Sequence, residues 1–196
     1  MIHLKTEKIH FLQWLYRTEP LEEERRIKGL IESVEEIENT LSSLVKKGLV
    51  GAVGTFPYTV SFGKEVSKKI ESVNGWITYF NLLEKENLQN LPNGDWLIGI
   101  RPLAAGKVAP LFDQLPEEFI NNIFPEFVNN KRDSITKFCL AYCLMQEKVK
   151  TNILSINSVE QGENLITLLK DIQPLEKEYL SKVEKLLETS VNKSKH

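Results

Sequence analysis

Apolar and polar positions along the chain alternate between two periods. Short β-rich apolar runs are each followed by a longer stretch in which apolar residues recur every three to four positions, the spacing of one buried helix face. Lys8 to Leu15 is the first strand candidate, and a Pro-containing loop leads from it into a long helix from about Glu24 to Lys47, stopped by Gly48. Val50 to Thr55 forms a second, small-residue strand before a helix from about Thr59 to Ile70. Trp76 to Phe80 is the third strand, Glu84 to Leu91 a short helix, and Pro92-Asn93-Gly94 a turn. Trp96 to Ile100 is the fourth strand, opening into a Pro-, Ala- and Gly-rich loop that runs to about Leu115. Helices are predicted over Pro116 to Val128 and Asp133 to Glu147, a fifth strand over Asn152 to Ser155, and closing helices over Ser158 to Lys170 and Leu175 to Glu188.

Strand-then-helix units in series predict an α/β fold with a parallel sheet and helices outside it, because parallel strands need crossover connections. At 196 residues the length suits one sizeable core, so residues 1–190 are read as a single domain and 191–196 as a polar tail. With 41% apolar and 27% charged residues, the chain has the composition of a soluble protein. A net charge of −2 and a pI of about 6.0 give no electrostatic ground for a nucleic-acid or anionic-membrane partner. No apolar run approaches the roughly 20 residues of a membrane span, and no secretory signature opens the chain, so the expected compartment is the cytoplasm. Cys139 and Cys143 are the only cysteines, and their i, i+4 spacing in an apolar helical run reads as core packing rather than a metal or redox pair. No metal is expected.

Ligands of parallel α/β folds sit at the carboxyl ends of the strands. The fourth end is the most unusual: Arg101 leaves the strand into a loop where Pro102 fixes the turn and small residues allow close backbone approach. Arg101 reads either as an anion clamp or as a partner for a carboxylate at the rim. The fifth end, Thr151 to Leu165, reads as strand, polar turn and helix start. Free N–H groups and the helix dipole there suit a phosphate, with Ser155, Asn157 and Ser158 as added donors; the alternative is that Asn157 or Ser158 simply caps the helix.

Four blocks of sequence then carry a family resemblance. Val45-Lys46-Lys47-Gly48-Leu49-Val50-Gly51-Ala52-Val53-Gly54 is similar to the helix end, Gly and strand before the fifth strand end of aldo-keto reductases. Phe80-Asn81-Leu82-Leu83-Glu84 resembles their "Tyr-Asn-Leu-Leu" after the sixth strand, and Arg101-Pro102-Leu103-Ala104-Ala105-Gly106 their "Pro-Leu-Ala-Gly-Gly" loop after the seventh. Asn157 to Leu165 resembles the segment that opens their last barrel helix. The order and spacing of the blocks, over about residues 8 to 188, imply a partial (β/α)8 TIM barrel of about five parallel strands, aldo-keto-reductase-like, in which NAD or NADP is the cofactor and carbonyls are reduced by hydride transfer. Arg101, Leu103, Ser155, Glu163 and Asn164 are the cofactor-binding positions that the resemblance implies, Ser155 for phosphate and Glu163 and Asn164 for adenine.

The same comparison exposes what is missing. The first strand aligns with the family's fourth, so the three βα units that carry its catalytic Asp, Tyr and Lys have no counterpart, and its catalytic His falls on Leu15, which carries no proton. His10, five residues earlier, reads as an edge or solvent-facing strand position. The Ser-Asn pair and the Gln that hold the nicotinamide carboxamide fall on Phe56, Pro57 and Ile77, and an unpaired buried amide costs about 1–3 kcal/mol per lost partner. The phosphate-binding Lys and Arg fall on Leu154 and Glu160, which disfavours a 2′-phosphate. No catalytic residue is therefore assigned. Two readings follow: a catalytically degenerate aldo-keto-reductase-like protein with a structural or interaction role and residual dinucleotide binding, or an oxidoreductase active only when another chain or self-association supplies the missing units, or through a relocated acid such as Tyr16, Tyr58 or Tyr79. A curved five-stranded sheet would expose strand edges, so a homo-oligomer or a partner chain is expected, with Phe11, Trp14, Trp76, Phe80 and Trp96 lining the surface or interior concerned.

Overall fold

The computed structural model describes residues 7–16, 22–113, 115, 117–123, 131–170, 172–173, 175–178 and 180–185. Five strands, β1 (Ile9–Trp14), β2 (Val50–Thr55), β3 (Val73–Tyr79), β4 (Trp96–Ile100) and β5 (Val149–Ile153), form one sheet in sequence order. The β1–β2 and β2–β3 pairs are parallel, with Ile9 opposite Val50 and Trp14 opposite Thr55. Helices follow the strands: α1 (Glu23–Lys46), α2 (Val60–Lys69) and α3 (Glu86–Gln89), then α4 (Ala109–Phe112), α5 (Glu117–Ile123), α6 (Lys131–Leu144) and α7 (Val159–Lys170). The expected strand-helix alternation is present throughout. By contact density the chain divides into two compact units, residues 1–78 with 86–98, and residues 79–85 with 99–196.

The first unit is organised by α1. Its apolar residues Ile27, Leu30, Ile37, Leu41, Leu44 and Val45 face the core, where Leu30, Val53, Phe62, Val66 and Ile70 are fully buried. Gly48 ends the helix at φ 71°, and the Gly48 N–H to Val45 carbonyl and Leu49 N–H to Leu44 carbonyl bonds close a left-handed cap that a β-carbon would strain. Thr59 caps α2, its hydroxyl accepting from the Phe62 N–H at 3.1 Å while donating to Glu23 at 2.8 Å. Two tryptophans are fixed by their indole N–H groups: Trp76 donates to Ser67, which donates to Asp95, and Trp96 donates to Asn74 at 3.0 Å. Trp96 lies against Gly75, where a β-carbon would come within 2.3 Å of its ring. Trp76 is fully buried, but Phe11 on edge strand β1 is 45% exposed and meets Trp96 edge-on, so the aromatic set expected to line a surface or an interior includes both buried and exposed rings. His10 is exposed on that edge strand, as expected.

In the second unit α6 is the buried helix. Phe138, Cys139, Leu140, Ala141, Tyr142 and Cys143 are all within 3% of full burial. Phe80 stacks on Tyr142 at 5.9 Å, and the Cys143 thiol donates to the Phe80 carbonyl. Both cysteines are free, and burial pushes each thiol up to about 12, which suits packing and not nucleophilic chemistry.

Several predicted boundaries shift. β3 begins at Val73 rather than Trp76, and β5 covers Val149–Ile153 rather than Asn152 to Ser155, so Ser155 lies in the loop after the strand. The loop after β4 contains a short 3-10 turn, Ala104–Gly106, and α4. Helix α6 ends at Leu144, three residues short of the expected Glu147. In the final predicted helix 177–178 and 180–185 are helical; 186–188, positions 116 and 124–128 of the helix predicted over Pro116 to Val128, and the tail 191–196 lie outside the described residues.

Candidate functional site

The loops at the carboxyl ends of β3 and β4 are joined by one buried side chain. Asn81, with no exposed surface, accepts from the Leu83 and Glu84 N–H groups at 2.9 and 3.0 Å and donates to the Arg101 carbonyl at 3.0 Å and to the Glu84 carboxylate at 2.5 Å. An amide suits this position because it supplies two donors and an acceptor from one planar group. Asn81 was visible in the sequence only as a member of a motif; its role as the tie between two loops comes from burial.

Arg101 is held by that tie in a left-handed conformation, φ 60°, which few non-glycine residues adopt. Ala104 and Ala105 follow at φ 49° and 52°, so the loop packs three residues with a β-carbon in the strained left-handed region into five positions. The Arg101 side chain is exposed, and its guanidinium lies 4.4 Å from the centre of the Tyr79 ring. The contact observed is with an aromatic face, beside the two roles expected of Arg101, an anion clamp or a partner for a rim carboxylate. Tyr79 is half-buried beneath that guanidinium, which makes it part of the rim packing. Leu103 is half-buried and precedes the 3-10 turn.

At the start of α7 the capping reading holds. The Ser158 hydroxyl accepts from the Gln161 N–H at 3.1 Å, and the Gln161 side chain returns to accept from the Asn157 N–H at 2.8 Å. Two of the backbone donors that an anion would use are thereby occupied. Glu160 adds a carboxylate in the first turn. Ser155, Glu163 and Asn164 are all exposed. Asn164 donates to Asp133 of α6 at 3.2 Å, a helix-to-helix contact. Arg101 and Asn164 thus meet Tyr79 and Asp133, and neither contact joins the two predicted halves of a nucleotide site.

The first unit holds the positions predicted for the nicotinamide end and for a relocated acid. Pro57 and Ile77 are buried and Phe56 half-buried, so this surface presents hydrocarbon where a carboxamide needs hydrogen bonds. Leu15, at the position of the catalytic His, is 36% exposed. Tyr16 stacks on Phe62, with its hydroxyl against Gly29, and Tyr58 packs edge-on against Phe56 and Phe62. Arg26, which no sequence pattern singles out, is 5% exposed and lies 3.8 Å over the Tyr58 ring. Among the described residues no group of three or more His, Cys, Asp or Glu is placed to hold a metal, and no helix is long and apolar enough to cross a membrane.

No family model and no curated protein matches the sequence. The fold does have solved counterparts. A thermostable aldo-keto reductase, Tm1743, solved with the inhibitor epalrestat, is 17% identical with a TM-score of 0.53, over 92% of this chain and 61% of its own. The aldo-keto reductase AKR11C1 from Bacillus halodurans, in its holo form, is 16% identical with a TM-score of 0.61, over 92% of this chain and 62% of its own. The fold is that of a partial aldo-keto-reductase barrel, and the chain spans about three-fifths of the length of these solved relatives.

Proposed function

We propose, from the premise of an aldo-keto-reductase fold over five βα units, that this chain is catalytically degenerate by itself and acts as a structural or interaction module. The observation that carries this reading is Leu15 at the carboxyl end of β1, where the family resemblance calls for a His. Phe56, Pro57 and Ile77 support it, because none offers a side-chain hydrogen bond to a nicotinamide amide. The nicotinamide end therefore does not fit. At the adenosine end Ser155, Glu163 and Asn164 remain accessible, but Asn164 is engaged by Asp133 and the α7 start by its own cap. Residual binding of NAD or NADP is accordingly weak, with NADP the poorer ligand because Glu160 opposes its extra phosphate.

The edge strands give the interaction role its physical basis. Ile9 and Phe11 on β1 are 38% and 45% exposed, and Ile153 on β5 is 49% exposed. Edges with apolar side chains favour pairing with a further strand. A second copy, or a chain supplying the remaining βα units, would cover them, and in the second case carbonyl reduction becomes the alternative function.

Isothermal titration with NAD⁺, NADH, NADP⁺ and NADPH tests the binding claim. The expected result is binding in the high micromolar range or weaker, unchanged by Phe56→Ser and reduced by Glu163→Ala. Sub-micromolar binding of any of the four would overturn it.

A further inference from the structure

The first unit buries a charged side chain that, among the described residues, forms no ion pair. Arg26, in the second turn of α1, is 5% exposed, its Nε has no hydrogen-bond partner, and its guanidinium forms no ion pair among the described residues. Burying a cation without a counter-charge is costly, and contact with π faces recovers only part of that cost. The aromatic contacts are extensive: Arg26 lies 3.8 Å over Tyr58 and 5.8 Å from the centre of Phe62. Tyr58 itself is held at φ 47°, a conformation an aromatic residue rarely adopts, so the backbone after β2 is strained in presenting its ring to the guanidinium. Both Tyr58 and Tyr16 stand just past the carboxyl ends of their strands, the side of the sheet on which parallel α/β folds bind ligands.

We propose that Arg26, with Tyr58 and Phe62 against its guanidinium and Tyr16 stacked on Phe62, binds an oxyanion, a carboxylate or a phosphate, carried on an apolar body. The guanidinium offers paired N–H donors in the fork that such a group accepts, and the half-buried tyrosine rings supply apolar walls for the rest of the ligand. Nearby acids are already committed: Glu22 pairs with Arg25 at 3.1 Å and Glu23 accepts from Thr59. Their charge opposes any approaching anion, so binding depends on direct contact with the guanidinium. The site lies in the first unit and uses none of the residues assigned to dinucleotide binding, so the two succeed or fail separately.

The test is calorimetric titration of the full chain with sodium benzoate, with inorganic phosphate and with benzyl alcohol as the neutral control, at constant ionic strength. Saturable binding of benzoate, of phosphate or of both is expected, with none for benzyl alcohol; which anion binds identifies the source of the oxyanion. Arg26→Lys should weaken it at least tenfold, and Lys68→Gln, at an exposed position of α2, should leave it unchanged. No saturable binding of either anion to the unmodified chain overturns the proposal without reference to any variant. Equal affinity in a folded Arg26→Lys protein, or equal binding of benzyl alcohol, also overturns it.

Discussion

Cys139 and Cys143 show what burial does to a titrating side chain. Each thiol is pushed from 9.0 up to about 12, Cys139 by desolvation and Cys143 by desolvation and then by its neighbour. Tyr142 shifts in the same direction, chiefly by burial and then by the nearby Glu184 carboxylate. The folded form therefore holds protons that the unfolded chain releases. Below pH 9.0 the thiols are protonated in both states and stability is unaffected; from 9.0 to about 12 only the unfolded thiols ionise, and stability falls by about 1.4 kcal/mol per pH unit for each fully shifted thiol. Urea midpoints should decline steadily from pH 9 to 10.5, and Cys143→Ala should flatten the slope. A midpoint that stays level over that range would contradict the burial of these groups.

At the scale of elements, the strands differ in how clearly the sequence marks them. β2 and β4 were legible to the residue because Gly48 and Pro57 bracket one and Pro92-Asn93-Gly94 and Pro102 bracket the other. β3 and β5 each begin three residues early because Val73-Asn74-Gly75 and Val149-Lys150-Thr151 break the apolar run with polar or small residues. Those residues have tertiary reasons: Asn74 accepts the Trp96 indole N–H and Gly75 makes room for the ring. Gly75→Ala should consequently cost about 1–3 kcal/mol by overpacking and move Trp96 fluorescence to the red. An unchanged melting temperature and spectrum would show that the ring is not confined there. The site was less legible than the fold. The Ser158 cap follows from local sequence, whereas Asn81 bridging two loops and Arg26 buried among rings depend on residues 20 and 32 positions away. In the sequence Arg26 follows three consecutive glutamates and Arg25, the pattern of a solvated helix start.

For the whole molecule, the fold and the chemistry point in different directions. Five strands in sequence order with outer helices match aldo-keto reductases over three-fifths of their length, while sequence identity stays at 16–17%. A scaffold tolerates such divergence because helix periodicity and strand burial need only apolar character, whereas catalysis needs particular groups at strand ends. Here those ends hold Leu15, Phe56 and Pro57, whose hydrocarbon side chains carry no proton to transfer. The most direct test is steady-state reduction of aldehydes by the purified chain with NADH and with NADPH, followed by loss of nicotinamide absorbance. The account predicts a rate equal to that without protein for both cofactors. Turnover that is abolished by Tyr16→Phe, Tyr58→Phe or Tyr79→Phe would contradict it, and would place a working acid on this chain.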